Sequence, residues 1–131
     1  MENFIVISGN DVMEYEDNEI PVYGESQHGA EQDYREYLES VQSLIEFYEN
    51  TGKCPEVDIA TYFDNPDKNR ELQKTYFNFK HCFFEGENQI RVKRLDNGLY
   101  KICGNGRHRL YCAKKYGLKV IVQVIEKKEC P

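Results

Sequence analysis

The sequence predicts a small α/β (α+β) domain, and three stretches carry that reading. Between Glu31 and Asn50 the apolar residues recur at Tyr34, Tyr37, Leu38, Val41, Leu44, Ile45 and Tyr48, the spacing of one helical face. Asp96-Asn97-Gly98 lies between two β-prone runs, which is the composition of a hairpin turn. From Leu99 onward a strand, a glycine-rich turn, a helix and an apolar strand follow one another with no linker between them.

Phe4 to Ile7 is a short β-prone run and predicts a strand, followed by irregular acidic chain broken by Pro21 and Gly24. The helix over 31–50 opens with Glu31 and Asp33, carboxylates that suit the positive end of the helix dipole, and Gly52 supplies a left-handed stop. Val57 to Phe63 alternates in part and is bounded by Pro55 and Pro66, which predicts a short strand with a one-turn helix as the alternative. Asn65 is then an N-cap and Pro66 fits the first turn of a helix that carries Leu72, Tyr76 and Phe79 on one face to about Lys80. Gln89–Leu95 and Leu99–Cys103 are expected to pair antiparallel across Asn97-Gly98, with positive φ at both turn residues. Arg107 to Tyr116 reads as a helix closed by Gly117, and Val120 to Ile125 as a nearly continuous apolar strand suited to burial.

A chain of 131 residues is enough for one compact domain with its own core. Its 40% hydrophobic and 31% charged residues read as globular, and no run approaches the ~20 apolar residues that span a bilayer. The start Met1-Glu2-Asn3 lacks the basic and apolar regions of an export signal, so a cytoplasmic location is expected. The five cysteines form no C-x-x-C pair, and reduced thiols are the expectation. Neither His81-Cys82 nor the group Cys103, His108 and Cys112 has the spacing of a structural zinc site.

The net charge of −6 hides a strong asymmetry. Residues 1–66 hold sixteen acidic and two basic side chains, whereas residues 67–131 hold seven acidic and fifteen basic ones. Either the halves neutralise each other internally, or the basic half faces a polyanion. Within the basic half, Gly104-Asn105-Gly106-Arg107-His108-Arg109 joins a strand to a helix N-terminus. There the backbone N–H groups lack intrahelical acceptors and the dipole favours an anion. Arg107 and Arg109 add cations suited to phosphate oxygens, and His108 adds a proton carrier near neutral pH. The alternative is a purely structural turn, with the arginines paired to the chain's own carboxylates.

The stretch from Gln89 to Ile125 resembles the core of the ParB/sulfiredoxin-like superfamily. Its pattern is a strand, a turn, a strand ending in a glycine-rich signature with His-Arg or Arg-Arg, a helix, and a final strand. The residues that carry the likeness are Gly104, Gly106, His108, Arg109, Leu110, Ala113, Lys114, Gly117 and Leu118. Upstream, Val57 to Phe63, Asn65-Pro66 and Leu72 to Phe79 would be the first strand, the Asn-Pro element and the helix after it. The resemblance implies a small mixed sheet with packed helices over residues 55–131. Residues 1–54 are then an added acidic extension with an amphipathic helix, both stretches forming one compact unit. Sulfiredoxins carry a catalytic cysteine immediately before the His-Arg pair. That position here is Arg107, so sulfinic acid reduction lacks its nucleophile. Partitioning ParB proteins hold nucleotide phosphates with the arginine-bearing signature and read DNA with a later helix-turn-helix, which is not expected in this chain. Other relatives resemble small kinases and nucleotide hydrolases in which a carboxylate holds magnesium or acts as base. By that alignment the candidates are Asp58, Asp64, Asp67 and Glu71.

The expected function is therefore binding of a nucleotide, with Mg2+, or of another phosphate, by Gly104, Asn105, Gly106, Arg107, His108 and Arg109. A phosphotransferase or nucleotide hydrolase would use His108 as its catalytic group. The alternative is a nucleic-acid-binding or nuclease module of a mobile element or toxin system. It would use the strip Arg91, Lys93, Arg94, Lys101, Lys114 and Lys115 together with the two arginines of the turn. A third reading is a non-enzymatic interaction protein whose acidic segment contacts a basic protein partner.

Overall fold

A computed structural model of the chain describes residues 4–16, 20–21, 31–58, 60, 62–104 and 106–126. It has an α+β fold with one four-stranded mixed sheet. The elements in chain order are β1 (Phe4–Ser8), α1 (Glu31–Ser40), α2 (Gln42–Thr51), α3 (Pro66–Phe84), β2 (Arg91–Arg94), β3 (Tyr100–Ile102), α4 (Arg107–Tyr116) and β4 (Lys119–Val124). The strand order is β1-β4-β2-β3. β4 runs antiparallel to β1, with Ile5 opposite Val122 and Ile7 opposite Val120, and parallel to β2. β2 and β3 form the expected antiparallel hairpin, with Val92 opposite Ile102 and Lys93 opposite Lys101.

Alternation along β4 explains why its sequence is almost uniformly apolar. Successive strand residues point to opposite faces, and Val120, Ile121 and Val122 are all fully buried, so both faces are covered there. Helices α2 and α4 both pack against this strand. The core also takes Leu38, Val41 and Ile45 from α1 and α2, Phe79 and Phe83 from α3, and Leu110, Cys112 and Ala113 from α4. Burying each of the large side chains contributes roughly 1.5–3 kcal/mol. Strand β1 and helices α1 and α2 of the acidic half thus share one sheet and one core with the basic half.

Four expectations about the secondary structure need correction. The helical stripe over 31–50 is two helices broken at Val41, whose φ of −105° and ψ of 7° leave the helical region. Two side chains explain the break. Ser40 Oγ donates to the Tyr37 carbonyl at 2.6 Å, and Gln42 Nε2 donates to the Leu38 carbonyl at 3.0 Å, so local side-chain bonds compete with the helix ladder. The same Gln42 amide also grips Lys119, donating to its carbonyl at 2.9 Å and accepting from its N–H at 3.0 Å. It fills the place of a neighbouring strand beside β4.

The described residues of 57–63 form no strand. Ala60 lies in a short 3-10 turn capped by Asp58 Oδ1 at 2.9 Å, and Phe63 is held through backbone bonds to the Asn69 amide. Helix α3 starts where expected, with the Asn65 side chain accepting from the Asp67 N–H at 2.9 Å, but runs four residues further than Lys80 because Phe83 and Phe84 continue its apolar face. The hairpin loop is Asp96-Asn97-Gly98, as the expected strand bounds imply, but positive φ is not found at both turn residues. Gly98 N–H bonds to the Leu95 carbonyl at 3.0 Å, Leu95 N–H to the Leu99 carbonyl at 2.8 Å, and only Gly98 has positive φ, at +86°.

Three lysines of the basic half are neutralised by glutamates of the acidic half. Lys114 meets Glu14 at 3.2 Å, Lys115 meets Glu31 at 3.0 Å and Lys119 meets Glu49 at 2.8 Å. The Tyr116 hydroxyl donates to Glu31 at 2.7 Å and, with Lys115, holds that carboxyl below the usual glutamate range. Cys54, Cys82 and Cys112 are free thiols, whereas Cys103 is disulfide-bonded, which departs from the expectation of reduced thiols throughout. Among the described residues no helix is long and apolar enough to cross a membrane.

Candidate ligand-binding cleft

The end of β3 and the start of α4 are set by short-range geometry. Cys103 N–H bonds to the Arg91 carbonyl at 2.8 Å, which prolongs the hairpin by one residue. The chain then turns through Gly104 and Gly106. Gly106 is the N-cap of α4 with φ of +97°, its carbonyl accepts from the Leu110 N–H at 2.9 Å, and it brings no capping side chain. A Cβ at this position would lie 2.8 Å from Ile90 Cγ1 and 3.0 Å from Ile90 Cα, so the turn is pressed against a fully buried residue. The first N–H groups of α4 therefore face outward without intrahelical acceptors.

Opposite this turn stands the C-terminal end of α3. Between them opens a cleft of about 860 Å³ lined by Tyr34, His81, Cys82, Glu87, Asn88, Gly104, Gly106, Arg107, His108 and Arg109. A second lobe of about 380 Å³ shares Tyr34, His81, Cys82 and Arg109 and adds Asp33, Tyr37 and Asn78. Five of the six residues expected at the glycine turn thus line one cavity. The sixth, Asn105, lies outside the described residues.

The two arginines of the turn have different surroundings. Arg109 is half-buried, and its Nη1 donates to the Cys82 carbonyl at 2.6 Å and approaches Cys82 Sγ at 3.1 Å. Its Nη2 donates to the Asn88 carbonyl, and its guanidinium lies 6.0 Å from the centre of the Phe83 ring. The last carbonyls of a helix lack partners, so Arg109 satisfies the C-terminus of α3 and locks it to α4. Gln89 does the same for the Phe84 carbonyl at 2.9 Å. Arg107, by contrast, is exposed in the first turn of α4 and bonds to no described side chain.

His108 is half-buried and stacks on Tyr34 of α1, with ring centres 5.5 Å apart and an interplanar angle of 17°. Burial raises the Tyr34 hydroxyl above the ordinary phenol range, and raises Tyr37 further, with the Cys82 thiol beside it. Both hydroxyls stay neutral donors at physiological pH. His81 Nε2 lies 2.9 Å from the Asn88 amide and its ring stacks on Phe77.

None of the six residues of the basic strip lines the cleft. Arg91 reaches Gln123 Oε1 at 3.3 Å, Lys114 and Lys115 are paired with glutamates, and Lys93 and Lys101 stand opposite each other in the hairpin, with Arg94 exposed beside them. Asp58, Asp64, Asp67 and Glu71 are likewise absent from the lining, and Asp67 pairs with Arg70. Among the described residues no group of three or more His, Cys, Asp or Glu side chains is gathered to hold a metal. The lining residues that the sequence did not point to are Tyr34, His81, Cys82, Glu87 and Asn88. Tyr34 read as one more position of a core stripe, and His81 and Cys82 as the end of a helix entering the core.

No protein-family model, no curated protein and no solved structure matches the chain.

Proposed function

We propose that the cleft between α3 and α4 binds a phosphate-bearing ligand of the nucleotide class, with its Mg2+. The observation that carries this is Arg107: an exposed cation without a side-chain partner among the described residues, beside an α4 N-terminus that Gly106 leaves uncapped, on the wall of an open cleft. A helix N-terminus and a guanidinium together satisfy phosphate oxygens in both charge and geometry. The Tyr34–His108 stack supplies an aromatic surface suited to a nucleobase. The resemblance of the turn to the phosphate-holding signature of ParB-like proteins supports the same reading. In a phosphotransferase or nucleotide hydrolase, His108 would be the proton-moving group, because it is the imidazole carried by the glycine turn itself.

The test is the melting temperature of wild type and Arg107→Ala with ATP, CTP or GTP and Mg2+. Ligand at 100 times its Kd stabilises by about 2.7 kcal/mol. The expected result is a shift with at least one nucleotide, about tenfold weaker affinity in the variant, and an unchanged melting temperature without ligand. Absence of any shift, or equal shifts in both proteins, would sink the reading. Arg109→Ala is a poor probe, since it also frees the Cys82 and Asn88 carbonyls.

A second reading, nucleic-acid binding, is favoured by the hairpin. Lys93, Arg94 and Lys101 have no carboxylate partner among the described residues, unlike Lys114 and Lys115. If the hairpin holds single-stranded oligonucleotides, log K should fall with log salt with a slope of about −0.7 per phosphate contacted. Triple replacement of the three by alanine should flatten that slope by about 2. Binding that ignores salt, or that the triple variant retains in full, contradicts it. A basic protein partner draws no support, because Glu14, Glu31 and Glu49 are already engaged by the chain's own lysines.

A further inference from the structure

Among the described residues strand β1 is an edge, hydrogen-bonded to β4 on one side only. Which of its backbone groups face outward follows from β4. Lys119 spends both its N–H and its carbonyl on Gln42, and Gln123 gives its N–H to the Ile90 carbonyl at 2.7 Å. Both residues therefore turn their backbone away from β1. In an antiparallel ladder such pairs alternate with pairs that exchange both bonds. Given the register Phe4–Gln123, Val6–Ile121 and Ser8–Lys119, the N–H and carbonyl groups of Phe4, Val6 and Ser8 point out from the sheet. The Tyr48 hydroxyl, which donates to the Phe4 carbonyl at 3.1 Å, approaches from that outer side. Val6 has no such partner among the described residues.

Exposed strand edges are usually guarded by a charge, a proline, a bulge or a covering element. Phe4-Ile5-Val6-Ile7-Ser8 contains no charged residue and no proline, and its register with β4 is one-to-one throughout. Outward donors and acceptors repeating every second residue select an extended strand as occupant. A two-fold axis at Val6 makes this edge complementary to itself, setting Val6 opposite Val6 and Phe4, whose carbonyl also holds the Tyr48 hydroxyl, opposite Ser8 in the isologous geometry of most dimers. In a chain of net charge −6, an uncharged edge also lets two copies meet without opposing like charges. We propose that the β1 edge pairs antiparallel with the β1 edge of a second copy about Val6, joining the two four-stranded sheets.

Val6→Pro tests this with little effect on the rest of the sheet, because the N–H it removes points away from β4 and proline is tolerated on such an edge. Sedimentation velocity of the full chain over a wide concentration range should show wild type passing from monomer to dimer. Val6→Pro should weaken the dimer by about tenfold or more through two lost bonds. Where wild type is monomeric the variant should still melt cooperatively, at a modestly lower temperature because Val6 also packs against the core. Val6→Lys and Val6→Glu provide a second arm. Each alone sets like charges face to face and should be monomeric, while their mixture should dimerise. A wild type that stays monomeric at every concentration overturns the proposal, as do variants that dimerise like wild type or a Lys/Glu mixture that stays monomeric.

Discussion

Alanine at position 9 is expected to destabilise the protein by about 3–4 kcal/mol, enough to lower its melting temperature by about 10 °C. Gly9 follows β1 and passes directly over α4. A Cβ there would lie 1.9 Å from the Ala113 carbonyl oxygen, 2.2 Å from its carbon and 2.6 Å from the Lys114 nitrogen. All three are helix backbone, so no side-chain rotation relieves the overlap. Either the chain lifts from α4, which loosens the Gly9 N–H bond to the Leu118 carbonyl at 2.9 Å, or α4 shifts and disturbs buried Ala113 and Val12. Urea denaturation of wild type and Gly9→Ala reads the effect as a lowered midpoint with an unchanged slope. A loss under 1 kcal/mol would mean that this crossing is looser than the structure has it.

Gly106→Ala should be the second most damaging change, at about 2–3 kcal/mol, and should also abolish ligand binding in the cleft. Two effects combine. A φ of +97° is unfavourable for any residue with a Cβ, costing about 1 kcal/mol or more, and that Cβ would press on Ile90, whose burial leaves it no room to yield. Gly104 separates the two contributions, because its φ of +96° is similar but a Cβ there meets open space. Gly104→Ala should therefore show the backbone cost alone, and the difference between the variants measures the contact with Ile90. Equal losses in the two would show that Ile90 accommodates the methyl group.

Local chemistry made much of the fold legible. Asn65-Pro66 announced the start of α3, Gly52 and Gly117 the ends of α2 and α4, and Asp96-Asn97-Gly98 the hairpin. Each depends on residues within one or two turns of each other. Legibility failed where a distant partner decides. Val41 looks like one more core position of a continuous helix, and the break there goes with the local bonds of Ser40 and Gln42 together with the reach of the Gln42 amide to Lys119 at the far end of the chain. Partial alternation in 57–63 suggested a strand, yet no described residue of that segment joins a sheet ladder.

The cleft divides the same way. Its α4 wall is contiguous in sequence and could be named residue by residue, whereas the α1 and α3 wall is assembled by tertiary packing and leaves no local trace. Arg109 shows the difference most sharply. Its sequence position beside Arg107 suggests the same task, and only the packing of α3 reveals that it serves the Cys82 and Asn88 carbonyls. The internal pairing of Lys114, Lys115 and Lys119 was one of two open readings of the charge asymmetry, and it holds for these three side chains.

The most direct test of the cleft as a phosphate site is a titration of the isotopically labelled protein with a nucleotide and Mg2+, followed by backbone amide NMR. Saturable shifts are expected at Gly104, Gly106, Arg107 and His108, with smaller ones at Tyr34 and His81, and Arg107→Ala should need about tenfold more ligand to reach them. Shifts confined to the β2–β3 hairpin, or none at all, would contradict it.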